Sequence, residues 1–201
     1  NNVYVQTLVN GINEMTGAGG KTIDWTAPLN YHQGIDADMQ QLVSDMNNGA
    51  IGAVLLYNVN PAYDYYDAEK FVSGIKKVNL SVSFNDHQDE TTLLCKYAAP
   101  DNHFLESWGD AEPKPGYYSL QQPGIAPLFK TRSYLETLLR WSGSQSSAIE
   151  YIQNYWKTNV FSKYGSGDWQ TWWDQSLQNG IVEPATAPAL SGLAFTGNIN
   201  D

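Results

Sequence analysis

Between Asn85 and His103 the chain gathers most of the side chains that could do chemistry. Asp86, His87, Asp89 and Glu90 lie within five consecutive positions, and His103 follows downstream. Carboxylates beside imidazoles can hold a divalent cation or exchange protons. Their spacing matches no strong metal motif, so the plainer reading is an exposed polar loop in which Asp89 caps a short helix. Cys95, the one cysteine of the chain, lies among Leu93, Leu94 and Tyr97 and reads as a buried structural thiol rather than a nucleophile. A single cysteine makes no internal disulfide and no multi-cysteine zinc or iron–sulfur site. No serine, histidine and acid set stands out for nucleophilic catalysis, and the sequence assigns neither a catalytic residue nor a metal ligand.

A second polar loop lies upstream, at Asn58-Val59-Asn60-Pro61. Both loops follow apolar runs of strand length, Ile51 to Tyr57 and Leu80 to Phe84. Two strand ends that open into polar loops are where an open α/β sheet usually holds a ligand.

The elements that must position these loops can be read from periodicity. Residues 3–15 predict a helix that ends at Gly17, Gly19 and Gly20. Lys21 to Thr26 alternates polar and apolar residues, as a short edge strand would. Asp36 and Asp38 suit a helix N-terminus, and Met39, Leu42, Val43 and Met46 follow at helical spacing up to Asn48-Gly49. Ile51 to Tyr57 predicts a buried parallel strand. Asp67 can cap a helix carrying Phe71, Val72 and Ile75, and Leu80 to Phe84 is the next strand. This alternation indicates βαβ units with right-handed crossovers. Asp101 to Lys130 is rich in Pro, Gly and Tyr and predicts a long ordered loop with a hairpin near Tyr117 to Gln121. Ser133 with Glu136 has capping-box spacing ahead of Leu135, Leu138, Leu139 and Trp141. Helices carrying Ile152, Tyr155, Trp156 and Val160, and then Trp169, Trp172, Trp173 and Leu177, follow. The three tryptophans read as one core-facing stripe, although sugar stacking or partner docking would use the same side chains. The expected fold is α/β: a Rossmann-like open, mostly parallel sheet flanked by helices over 1–143, with a helical appendage and turn-rich tail over 144–201.

Composition narrows the function classes. The 201 residues are 42% hydrophobic and 16% charged, enough apolar content for a proper core. A net charge of -10 argues against nucleic acid, which needs clustered cations. No apolar run approaches the roughly 20 residues that cross a bilayer. The sequence begins Asn1-Asn2 without Met or leader, which reads as a piece of something longer.

The block from Ile51 to Gly109 resembles the molybdopterin oxidoreductases of the dimethyl-sulfoxide-reductase type. In that family one strand ends in Gly-x-Asn-Pro and a second in a polar pair ahead of a Thr-Glu-Thr-Ala stretch, with Leu-Pro-Ala and Glu-x-x-Gly beyond. The counterparts here are Asn58-Val59-Asn60-Pro61, Phe84-Asn85, Asp89-Glu90-Thr91-Thr92, Ala98-Ala99-Pro100 and Glu106-Ser107-Trp108-Gly109. Segments 58–64, 89–111 and 119–129 are more similar still to the iron–sulfur subunit of alternative complex III, a bacterial quinol-to-electron-acceptor oxidoreductase.

The resemblance implies a non-catalytic structural domain of a respiratory electron-transfer complex. It would pack against other domains of its parent subunit and against other subunits at the periplasmic face of the inner membrane. Iron–sulfur clusters would lie elsewhere in the parent. Molybdopterin is not expected: Asn58 stands where the family has Gly, and its Cβ obstructs close phosphate approach. Asp86 and Asp89 would repel a pyrophosphate, and no Gly-rich phosphate loop occurs elsewhere. The alternative is a domain that still binds a molybdopterin guanine dinucleotide through Asn58, Asn60, Pro61, Asn85, Asp86 and Asp89. A third reading is an acidic, aromatic-rich module for carbohydrate or protein.

Overall fold

A computed structural model describes residues 2–24, 28–31, 33–183 and 197. In chain order the helices and strands are α1 (Val3–Met15), α2 (Asp36–Asn47), β1 (Ala53–Leu56), α3 (Pro61–Asp64), α4 (Ala68–Ile75), β2 (Leu80–Ser83) and β3 (Tyr97–Ala98). Then come β4 (Gly109–Lys114), β5 (Tyr117–Gln121), α5 (Tyr134–Trp141), α6 (Ala148–Tyr155), α7 (Ser162–Tyr164), α8 (Trp169–Asn179) and β6 (Ile181–Val182). The chain forms two compact units, one of residues 35–109 and 121–172, the other of residues 1–34, 110–120 and 173–201.

The larger unit carries a three-stranded parallel sheet in the order β1-β2-β3. The crossover from β1 to β2 runs through α3 and α4, as the alternating pattern predicts. Val54 and Leu56 of β1 turn inward onto Val43 and Met46 of α2 and onto Phe71, Ile75 and Val78, forming one apolar cluster. Asp67 Oδ1 accepts the Lys70 N–H at 3.3 Å and starts α4. Gly74 lets α4 lie close to α2: a Cβ there would stand 2.8 Å from Asn47 Nδ2 and 3.0 Å from Met46 Cβ. Asn47 Nδ2 also donates to the Lys70 carbonyl at 2.9 Å, so the contact is polar as well as tight.

Burial in β1 departs from the sequence expectation. Val54 and Leu56 are buried but Leu55 between them is 47% exposed, so one face of this parallel strand is open. After α6 the backbone widens into a π-helical stretch, Trp156–Phe161, before α7. Trp156 and Val160 are fully buried on it. Gly165 closes this segment, because a Cβ there would overlap the Phe161 ring.

In the smaller unit α1 is capped by Asn2, whose Oδ1 accepts the Tyr4 N–H at 3.0 Å. The expected hairpin is present as β4 and β5, with Gly116 in the left-handed region at φ 80°. An antiparallel partner, β6, pairs with β5 through Tyr118 and Val182, and the sequence pattern had given no sign of it. Of the edge strand expected over residues 21–26, an isolated bridge joins Gly19 to Ile23, and residues 25–26 lie outside the described residues. The tail expected to be turn-rich falls almost wholly outside them as well.

Replacing Gly74 by Ala should lower thermal stability by about 1–3 kcal/mol, since overpacked cores cost that much. Thermal unfolding followed by circular dichroism checks it.

Candidate functional site

The two strand-end loops meet at the C-terminal edge of the parallel sheet, where a ligand would bind. The first leaves β1 through Tyr57 and turns at Asn58, whose φ of +55° makes it the left-handed non-glycine among the described residues. Asn is the side chain that tolerates this region best after Gly, so Asn58 holds a glycine-type backbone while carrying a Cβ. Pro61 then opens α3 at a position where its missing N–H costs nothing.

The second loop leaves β2 at Phe84 and folds back onto the first. Asn85 Nδ2 donates to the Val59 carbonyl at 2.9 Å and to Asp89 Oδ2 at 2.6 Å, and its Oδ1 accepts the Val59 N–H at 3.4 Å. Asn60 reaches the other way: Nδ2 donates to Glu90 Oε2 at 2.7 Å, and Oδ1 accepts the Thr91 hydroxyl at 2.7 Å and the Thr91 N–H at 3.2 Å. Thr91 Oγ1 in turn accepts the Ala62 N–H at 2.9 Å, satisfying a donor at the start of α3. Ser83 and Thr92 share a hydroxyl hydrogen bond of 2.7 Å beneath, and Asp89 Oδ1 accepts the Thr92 N–H at 2.7 Å. Ser83, Asn85, Thr91 and Thr92 are all buried. Their polar atoms are therefore spent on one another rather than aimed at open space.

Charge at the rim is negative. Burial raises the Asp89 carboxyl, but donation from the Thr92 N–H, the Thr92 hydroxyl and Asn85 outweighs it and holds Asp89 below the usual range. The Asn60 amide similarly lowers Glu90. Asp86 bonds His87 Nδ1 at 2.5 Å and raises the imidazole. His103, which the sequence grouped with these residues, instead caps a short 3₁₀ turn by accepting the Leu105 N–H at 3.3 Å. Among the described residues no three His, Cys, Asp or Glu side chains converge as a metal set would. Cys95 is half-buried, and burial raises its thiol.

A cavity of about 390 Å³ opens beside the second loop, lined by Asn85, Asp86, His87, Thr92 and Lys96 among others. Its size would admit a small ligand. Lys96, the cation of its lining, already donates Nζ to the Asn79 carbonyl at 2.8 Å, and Asp86 faces the same space.

Two further carboxylates were not singled out as site residues by the sequence. Glu106 is buried; Oε2 accepts the His103 N–H at 3.0 Å and Oε1 the Leu128 N–H at 2.9 Å. The spacing of His103 and Glu106 is that of a capping box, which could have shown it. Asp101 accepts the Asn102 and Tyr134 N–H groups at 2.9 and 2.7 Å. Burial, then Asp101, pushes the Tyr57 phenol up to about 12. Tyr57 stacks on Tyr134 with ring centroids 3.7 Å apart, tying β1 to α5. The tryptophan stripe packs: Trp172 lies 6.2 Å from Trp156 and 5.3 Å from Phe161, centroid to centroid, and Trp173 is buried.

With this geometry in view, no protein-family model matches the chain. Over 95 residues it is 33% identical to the menaquinone reductase, molybdopterin-binding-like subunit of Nitratidesulfovibrio vulgaris, a match that takes in 45% of this chain. The chain is similar to a molybdopterin-binding-like protein. The match spans 14% of that relative's length.

The Asp89 shift sets a pH dependence. Its folded pKa is depressed, so the stability it contributes is complete above the unfolded value of roughly 3.9 and fades as pH falls through the lower folded value. Asp89→Asn should therefore be less stable than the native chain at neutral pH. The gap should close in acid, as urea unfolding across pH will show.

Proposed function

We propose that this chain is a non-catalytic structural domain of a molybdopterin-oxidoreductase-like iron–sulfur subunit in a respiratory quinol oxidoreductase. One observation carries the reading. The loops at the ends of β1 and β2 keep the family's places but satisfy each other, through Asn60 with Thr91 and Asn85 with Val59 and Asp89. A nucleotide phosphate entering there would have to break these bonds, meet the Cβ of Asn58 and approach Asp86 and Asp89. The relative's name, a molybdopterin-binding-like subunit of a menaquinone reductase, supports membership of a quinone-linked complex.

On this reading the iron–sulfur clusters belong to other parts of the parent subunit, because one cysteine cannot hold them. The domain braces the cluster-bearing part and contacts neighbouring subunits on the periplasmic face of the inner membrane. It spans no membrane itself, and among the described residues no helix is long and apolar enough to do so.

Calorimetric titration with a guanine nucleotide tests the reading. No heat of binding is expected at millimolar ligand. A dissociation constant below about 0.1 mM, roughly 5.5 kcal/mol of affinity, would instead make the loops a cofactor site. In the parent gene, cysteine-rich cluster motifs should accompany this domain, and their absence would count against the respiratory assignment.

A further inference from the structure

The segment from Ile125 to Arg132 runs against the character of the chain. The whole sequence carries a net charge of -10, yet no Asp or Glu occurs between Glu112 and Glu136, while Lys130 and Arg132 do. Leu128 and Phe129 are the most exposed apolar pair of the larger unit, at 74% and 76%, and Phe104, Leu105 and Ile125 are exposed beside them. Scattered apolar residues on a surface mean little, but a contiguous group does not.

This group is held rather than loose. The Leu105 carbonyl accepts the Gly124 and Ile125 N–H groups at 2.7 and 3.1 Å. The buried Glu106 accepts the Leu128 N–H, and the Thr131 hydroxyl donates to Asn102 Oδ1 at 2.6 Å. Pro123 and Pro127 further restrict the backbone. Nearby carboxylates are drawn inward: both Glu106 oxygens are taken by backbone N–H groups, and Asp101 is taken by the Asn102 and Tyr134 N–H groups. Among the described residues neither Lys130 nor Arg132 has a carboxylate within ion-pair distance.

We propose that this braced tip, Leu128-Phe129 followed by Lys130 and Arg132, docks the domain onto the surface of an anionic phospholipid bilayer. Two consecutive apolar side chains reach the boundary between headgroups and acyl chains, and the cations just beyond them sit at phosphate level. The remainder of the chain is acidic overall and gains nothing from the same surface, so the attraction is confined to the tip. The inference stands on the tip itself and goes beyond the respiratory reading, so either can fail without the other.

Co-sedimentation with vesicles tests it, using equal parts phosphatidylglycerol and phosphatidylcholine against phosphatidylcholine alone. The intact chain should pellet with the anionic vesicles at low salt, and about 0.5 M salt should release it. Lys130→Glu with Arg132→Glu should weaken partitioning by about 25-fold or more, at about five-fold for each cation lost. Leu128→Asp with Phe129→Asp should abolish it without changing the circular dichroism spectrum. Leu8→Asp with Ile12→Asp, on the exposed face of α1, should leave it unchanged. No binding to anionic vesicles, as expected of a tip that meets only polypeptide, would overturn the proposal. Binding that survives both tip variants, or that α1 controls, would do the same.

Discussion

The carboxamide of Asn85 is the interaction on which the rest of the strand-end region depends. It lies at the end of β2, buried, and its three hydrogen bonds clamp the first loop at Val59 and the second at Asp89. With Asp89 held, Thr92 can start a 3₁₀ turn, Thr92–Leu94, and offer its hydroxyl to Ser83. Thr91 is then placed to reach Asn60 and Ala62. A buried amide that lost any of these partners would cost about 1–3 kcal/mol, so the network holds best when every member is satisfied. The geometry that lets two loops share their donors also removes those donors from any third party.

The backbone at Asn58 sharpens this. A left-handed residue between a strand and a helix is a glycine's natural place, and it frees peptide N–H groups for a close approach by phosphate. Here Asn58 adopts that conformation while carrying a side chain. A left-handed turn needs only a dihedral angle, whereas binding a phosphate at such a turn also needs empty space and available donors. The open face of β1 at Leu55 has the same flavour. Parallel strands are normally covered on both sides, and a domain that packs against more polypeptide would supply the cover.

Much of the fold was legible because it is written in short-range pattern. The apolar runs located β1 and β2 to within a few residues, and Asp67 announced its helix through the cap it provides. What escaped notice depended on distant partners. Leu55 belongs to an apolar run but faces outward, which no run of residues can reveal. Ser133 forms half of its expected box by accepting the Glu136 N–H at 3.2 Å, while the neighbouring Tyr134 N–H goes to Asp101, thirty-three positions away. The widening of α6 into a π-helical stretch, on which Trp156 and Val160 are buried, left no sign in their spacing, which an ordinary helix would share. At the candidate site, residue identities showed an Asn at the end of the first strand and a cluster of acids after the second. They could not show that Asn60, Asn85 and Thr91 had found one another.

The central claim is that these loops are bound to each other, and a double-mutant cycle on Asn60→Ala and Thr91→Val measures it directly. If the side chains share a hydrogen bond across the two loops, unfolding free energies should show a coupling of about 0.5–3 kcal/mol. Two losses that add to within about 0.3 kcal/mol would mean that the groups act independently, and the loops would then be free to serve a ligand.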